Sequence, residues 1–278
     1  LGVFSDIAAK TSIPNQQIPF NVEPSILLDI QQGVAVIRLN RSKVYNSFNR
    51  EMALALQAAL DTCRADKRVR AVLLTGNGKA FSAGQDLAEV VAEDGPSMYA
   101  ILAEHYNPVI ERIRQIEKPV ICAVNGVAAG AGANIALCCD ITIAAESASF
   151  LQAFSKIGLI PDSGGTFFLP RLIGLQRATA LMMLAERVSA ADAAAMGMIY
   201  KVFPDDALET EALKMAAQLA AMPSLGLAYT KHVLNQSLTN NLSQQLKAEE
   251  EWQVRAGQTE DFQEGVQAFL EKRPPVFK

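Results

Sequence analysis

Short apolar runs alternate with amphipathic stretches over the first two-thirds of the chain, and the last third is amphipathic almost throughout. SILLDI and VAVIRLN flank Gln31-Gln32-Gly33, which predicts a β-hairpin. Met52, Leu54, Leu56, Ala59 and Leu60 recur at helical spacing, so a helix is expected from about Arg50 to Arg64. VRAVLLTG reads as a buried strand that ends in the glycine-containing run GNGKAFSAGQDL. Met98 to Ile116 is helical in period and is stopped by Lys118-Pro119. PVICAVNG and ITIAA then read as strands on either side of a small-residue helix in AAGAGANIALCCD. IGLIPDSGG reads as a loop opening a helix near Ser163, and from Ala178 onward nearly everything reads as helix. Strands alternating with helices predict an α/β fold with much parallel pairing.

Composition narrows the picture. Of 278 residues, 50% are apolar and 19% charged, enough for one large core. A net charge of -4 excludes general attraction to nucleic acid or an anionic membrane. The most apolar stretch, 119–145, is broken by Asn125, Asn134, Asp140 and several glycines, so it reads as buried strand and helix rather than as a membrane span. Cys63, Cys122, Cys138 and Cys139 show no paired spacing and read as reduced, buried thiols of a cytoplasmic protein. With His105 and His232 as the two histidines, no metal site is expected. Residues 1–23 read as an N-terminal extension or tag, 24–223 as the core, and 224–278 as a helical region. Leu227, Val233, Leu234, Leu238, Trp252, Phe262, Val266 and Phe269 give that region apolar faces in need of a partner.

Two segments carry candidate chemistry. In GNGKAFSAGQDL a strand ends beside small residues, and Gly84 lets the amide of Gln85 turn into a cleft. In NGVAAGAGAN the amide of Ala131 opens a helix, where N–H groups are unpaired and the dipole is positive. Two such amides on one carbonyl oxygen would make an oxyanion hole. Taken singly, each segment is better explained as an ordinary glycine-rich turn.

Their order is more specific. NRSKVYNSFNREM, KAFSAGQDL, KPVICAVNGVAAGAGANIALCCDITIAAESASF, IGLIPDSGGTFFLPRLIG and AFLEKR together resemble the crotonase (enoyl-CoA hydratase/isomerase) superfamily over residues 24–278. The resemblance implies a crotonase-like spiral of ββα turns with a C-terminal helical trimerisation region, assembled as a homotrimer or a dimer of trimers. It also implies an acyl-CoA thioester held between the amides of Gln85 and Ala131. Coenzyme A would be part of the substrate, and no separate cofactor is implied. Its adenine and pantetheine would lie along Ser42, Lys43 and Val44 and along Ala83, Asp86 and Leu87. A neighbouring subunit would add Phe269 and Lys272.

One departure bears on the reaction. Where hydratases of the family carry two glutamates, this chain has Asn134 and Phe154, and neither can activate water. The remaining carboxylate is Asp162. By itself it reads as a helix cap, whereas family members with an Asp here use it as base or nucleophile. Dienoyl-CoA isomerases pair it with further carboxylates at the positions of Asn134 and Phe154. A chlorobenzoyl-CoA dehalogenase has histidine at the position of Asn107 and tryptophan at that of Phe154. HYNPVIERI, AFSKIGLIPDSGGT and EGVQAFLEKRPPVF instead resemble the 1,2-epoxyphenylacetyl-CoA isomerase branch of phenylacetate catabolism, which also shifts 3-enoyl double bonds. The expected activity is acyl-CoA isomerisation with Asp162 as acid and base. Enoyl-CoA hydration and a non-catalytic partner subunit are the alternatives. PDSGG is also similar to the GDSGG of trypsin-like proteases, but neither histidine lies in a protease setting. NGVAAGAGAN lacks the G-x-G-x-x-G register of a dinucleotide site.

Overall fold

The computed structural model describes residues 23–278, and the extension expected over residues 1–23 lies outside them save for its last residue. Strands β1 (Ile26–Gln31) and β2 (Val34–Leu39) pair antiparallel with Gln31 opposite Val34. Gln32 and Gly33 are left as a two-residue loop, both left-handed (φ 49° and 84°), which matches the twist of the strands. Helix α1 (Arg50–Ala65) starts where the Asn49 side chain accepts from the Met52 amide, and it buries Met52, Leu56 and Leu60.

Three ββα turns follow. The first is β3 (Ala71–Gly76) and β4 (Ala80–Ser82), then the short α2 (Leu87–Val90) and a long helix. That helix runs through α3 (Met98–Ala100), a π-helical turn (Ile101–Tyr106) and α4 (Asn107–Gln115). The second is β5 (Val120–Val124), β6 (Val127–Ala129) and α5 (Ala131–Cys138). The third is β7 (Ile141–Ala145), β8 (Ser149–Leu151), a 3-10 turn (Ala153–Ile157) and α6 (Gly165–Ile173). Each turn gives one strand to each of two sheets. After α7 (Leu175–Leu184), strand β9 (Arg187–Ser189), α8 (Ala190–Ala195) and strand β10 (Lys201–Phe203) complete them. The six-stranded sheet has the order β1-β2-β3-β5-β7-β10, parallel from β2 onward, and the four-stranded sheet has the order β4-β6-β8-β9. The expected ββα spiral is therefore present.

The expectation that nearly everything after Ala178 is helix holds save for β9 and β10, which it did not include. Three residues are too few for alternation to register, and both become strands because β8 and β7 offer open edges. Helix α9 (Leu208–Ala220) packs Ala212, Ala216 and Ala220 toward the large sheet. The tail is α10 (Ser224–Ser237), α11 (Leu242–Ala256) and α12 (Glu260–Glu271). Buried Lys231 ties α10 to the core through Asp140 Oδ2 (2.7 Å) and the carbonyl of Ile113 (2.7 Å). All four cysteines are free and buried. No described helix is long and apolar enough to cross a membrane.

Candidate active site

The two glycine-containing segments meet at the ends of β4 and β6. Gly84 has φ +88°, and a Cβ there would stand 2.8 Å from the Ala129 carbonyl and 3.5 Å from the Ala131 amide nitrogen. Only a residue without a side chain lets the chains approach this closely. Phe48 holds both flanks of Gln85: its amide donates to Gly84 O (2.7 Å) and its carbonyl accepts from the Asp86 amide (2.8 Å). The Gly130 amide donates to Leu151 O (2.9 Å). The amides of Gln85 and Ala131 lie between these anchors and have no acceptor among the described residues. Ala131 is the first residue of α5, so its free N–H adds to the positive end of that helix. Two free donors so placed can converge on one oxygen.

The Gln85 side chain is also held. Tyr106 Oη donates to its Oε1 (2.9 Å), and its Nε2 donates to Glu89 Oε2 (3.1 Å). Tyr106 ends the π-helical turn, two of whose carbonyls, those of Glu104 and His105, accept from Gln57 Nε2 of α1. Sequence reasoning missed Tyr106, because helical period does not disclose a π turn. Its exposed neighbour Asn107, expected to bind substrate, opens α4 and makes no side-chain hydrogen bond to the segments of Gln85, Ala131 or Asp162 among the described residues. His105 is buried with neither ring nitrogen partnered, and burial pushes its imidazolium below the usual range. Neither histidine bonds Ser163.

Asn134, 1% exposed, stands one helical turn beyond Ala131 and joins α5 to the Asp162 loop. Its Nδ2 donates to the Asp162 carbonyl (2.9 Å), and its Oδ1 accepts from Gln152 Nε2 (2.8 Å). The ring of Phe154 lies 3.8 Å from where a Cβ on Gly130 would be. Burial raises the Asp162 carboxyl above its ordinary range, and a hydrogen bond from Ser163 Oγ (2.8 Å) opposes that rise. Reading Asp162 as the cap of a helix near Ser163 is corrected here. Helix α6 begins at Gly165, its N-cap is Gly164, and the Asp162 carboxylate faces Ser163 Oγ instead of a helix amide.

The segments expected along the nucleotide are brought side by side. Ser42–Val44 forms a 3-10 turn with Lys43 and Val44 exposed, and the following Tyr45 accepts from the Ala83 amide (2.9 Å). Buried Asn46, which sequence reasoning also missed, bonds the carbonyls of Asn77 (2.9 Å) and Ala80 (2.8 Å). Asp86 caps α2 and pairs with Arg41 (3.0 Å), which occupies its carboxylate, whereas Leu87 is exposed. Phe269 and Lys272 lie exposed at the end of α12 and make no bond to these segments within the chain.

Known proteins resemble this chain along nearly its whole described length. The family model described as enoyl-CoA hydratase/isomerase matches residues 29–278. The 1,2-epoxyphenylacetyl-CoA isomerase of Escherichia coli is 46% identical over 91% of this chain and 97% of its own length. A Rhodobacter capsulatus protein named probable enoyl-CoA hydratase is 47% identical over the same shares. The crystal structure of an enoyl-CoA hydratase from Polaromonas sp. JS666 superposes with a TM-score of 0.87 at 36% identity, covering 91% of this chain and 99% of that one. The paired sheets and the match across nearly the whole described chain lead to one assignment: this protein belongs to the enoyl-CoA hydratase/isomerase (crotonase) family.

Proposed function

We propose that this enzyme is an acyl-CoA isomerase, acting on 1,2-epoxyphenylacetyl-CoA and on 3-enoyl-CoA, with Asp162 as its single acid–base residue. The amides of Gln85 and Ala131 grip the thioester carbonyl oxygen. In the double-bond shift the C2–H bond breaks, its proton passes to Asp162, and the electron pair delocalises onto that oxygen. The proton then returns at C4. The two amides stabilise the charge on oxygen, and removing one such donor typically costs about 3–4 kcal/mol of transition-state stabilisation. Coenzyme A arrives as part of the substrate, along Ser42–Val44 and Ala83–Leu87, with Phe269 and Lys272 of a neighbouring copy completing the site. No further cofactor is required.

The observation that carries this reading is the state of Asn134. At the position where a hydratase needs a carboxylate, its amide is engaged at both ends, donating to the Asp162 loop and accepting from Gln152. With Phe154 apolar and buried, Asp162 supplies the ionisable carboxylate of these segments.

The test offers the purified protein 3-enoyl-CoA, 2-enoyl-CoA and 1,2-epoxyphenylacetyl-CoA, with products followed by chromatography, mass spectrometry and NMR. A shifted double bond and a ring-expanded product of unchanged mass are expected. Water addition to 2-enoyl-CoA should be slower by about a hundredfold or more. Hydration as fast as isomerisation would overturn the reading. Conversion of none of the three would favour a non-catalytic partner subunit.

A further inference from the structure

Asp162–Gly165 is a tight turn in which the Gly165 amide donates to the Asp162 carbonyl (2.8 Å). Its central residues, Ser163 and Gly164, are both left-handed (φ +50° and +73°). That conformation suits Gly164 but strains Ser163, whose Cβ crowds the adjacent carbonyl. The strained residue is only 2% exposed, and its hydroxyl donates to Asp162 Oδ1 (2.8 Å). The Asp162 carbonyl is pinned separately by Asn134. Backbone strain at a buried side chain whose one polar bond goes to the base suggests a role for that bond.

We propose that Ser163 is a positioning residue, holding Oδ1 of Asp162 so that Oδ2 is the oxygen that takes and returns the substrate proton. The proposal rests on the isomerase reading above. In the forward step C2–H breaks as Oδ2–H forms, and the electron pair passes to the thioester oxygen. In the return step Oδ2–H breaks as C4–H forms, and the Ser163 proton never leaves its oxygen.

The groups around Asp162 leave Ser163 as the main modulator of its charge. Asp162 makes no ion pair among the described residues. Asn134 and Gln152 are neutral amides, and Phe154 is apolar. The titratable Tyr106 stays a neutral phenol because burial pushes it up, reinforced by the charges of Asp162, Glu89 and Asp86. Loss of the Ser163 donor therefore removes the larger of the two hydrogen bonds that oppose burial and leaves the Asp162 backbone amide to oppose it.

Three variants test this: Ser163→Gly, Ser163→Ala and Asp162→Asn, each measured for kcat, KM, pH–rate profile and melting temperature. Ser163→Gly relieves the strain, so it should melt no lower than wild type while kcat falls about tenfold and KM stays nearly constant. The acid limb of its profile should move to higher pH, because the ionised base then forms only at higher pH. Ser163→Ala should show the same kinetic change with the strain retained. A wild-type kcat and an unmoved acid limb in both serine variants, with Asp162→Asn inactive, would overturn the positioning role and leave the isomerase reading intact. Near-wild-type turnover in Asp162→Asn would overturn both.

Discussion

The surroundings of Asp162 work against its ionised form. Burial raises its carboxyl, so the charged form is disfavoured in the fold relative to the unfolded chain. A folded value above the unfolded one means that stability is fully present in acid and is lost as pH rises through the raised value. Asp162→Asn should therefore melt higher than wild type at neutral pH, and the gap should close in acid. The same variant should keep its affinity for coenzyme A esters while turnover falls by at least about a hundredfold. Melting curves at acid and neutral pH, together with turnover, check both halves. Asp162 was legible as a candidate from its place in IGLIPDSGG. Its partner Asn134 and the Gln152 that holds Asn134 come from other segments, and no local pattern in the sequence announces that they meet.

At the level of elements, the site depends on how closely two strand ends approach. Gly84 is the constraint, with positive φ and with its missing Cβ facing the Ala129 carbonyl. Gly84→Ala should displace the Gln85 amide. It should lower turnover about a hundredfold or more and cost about 1–2 kcal/mol from the left-handed backbone. Paired measurements of kcat and melting temperature test it, and a wild-type kcat would remove Gln85 from the proposed oxyanion hole. The long helix shows what periodicity can and cannot disclose. Its extent from Met98 was legible, but its π turn, which carries Tyr106 to Gln85, was not. One extra residue in a turn leaves the apolar stripe nearly unchanged while rotating the side chains beyond it.

At the scale of the whole molecule, the C-terminal helices leave apolar surface open. Phe269 is 83% exposed, and Phe262, Val266 and Leu270 of the same helix are exposed too. A groove of about 900 Å³ between α10 and α11 is lined by Leu227, Val233, Leu234 and Leu246 and contains none of Asp162, Gln85 or Ala131. Such faces are ordinarily covered by association. Light scattering at micromolar concentration should find at least a trimer, and Phe269→Ser should weaken affinity for coenzyme A esters if a neighbour completes the site. A monomer with full activity would sink the shared-site arrangement.

The sequence alone was sufficient for the hairpin, the α1 stripe, the buried strands and the two glycine-containing segments. Each of these follows from local periodicity, or from the steric freedom that glycine alone has at a given backbone angle. The resemblance to the family adds that Asn134 and Phe154 stand where its hydratases carry two glutamates. Only the tertiary structure decided that β9 and β10 are strands, because three-residue segments take their conformation from an open sheet edge. It likewise decided that Asp162 faces Ser163 instead of capping α6, and that Lys231 is buried against Asp140. Those contacts join residues far apart in the chain or hang on the exact residue where a helix starts, and both are set by packing rather than by the pattern around any one residue.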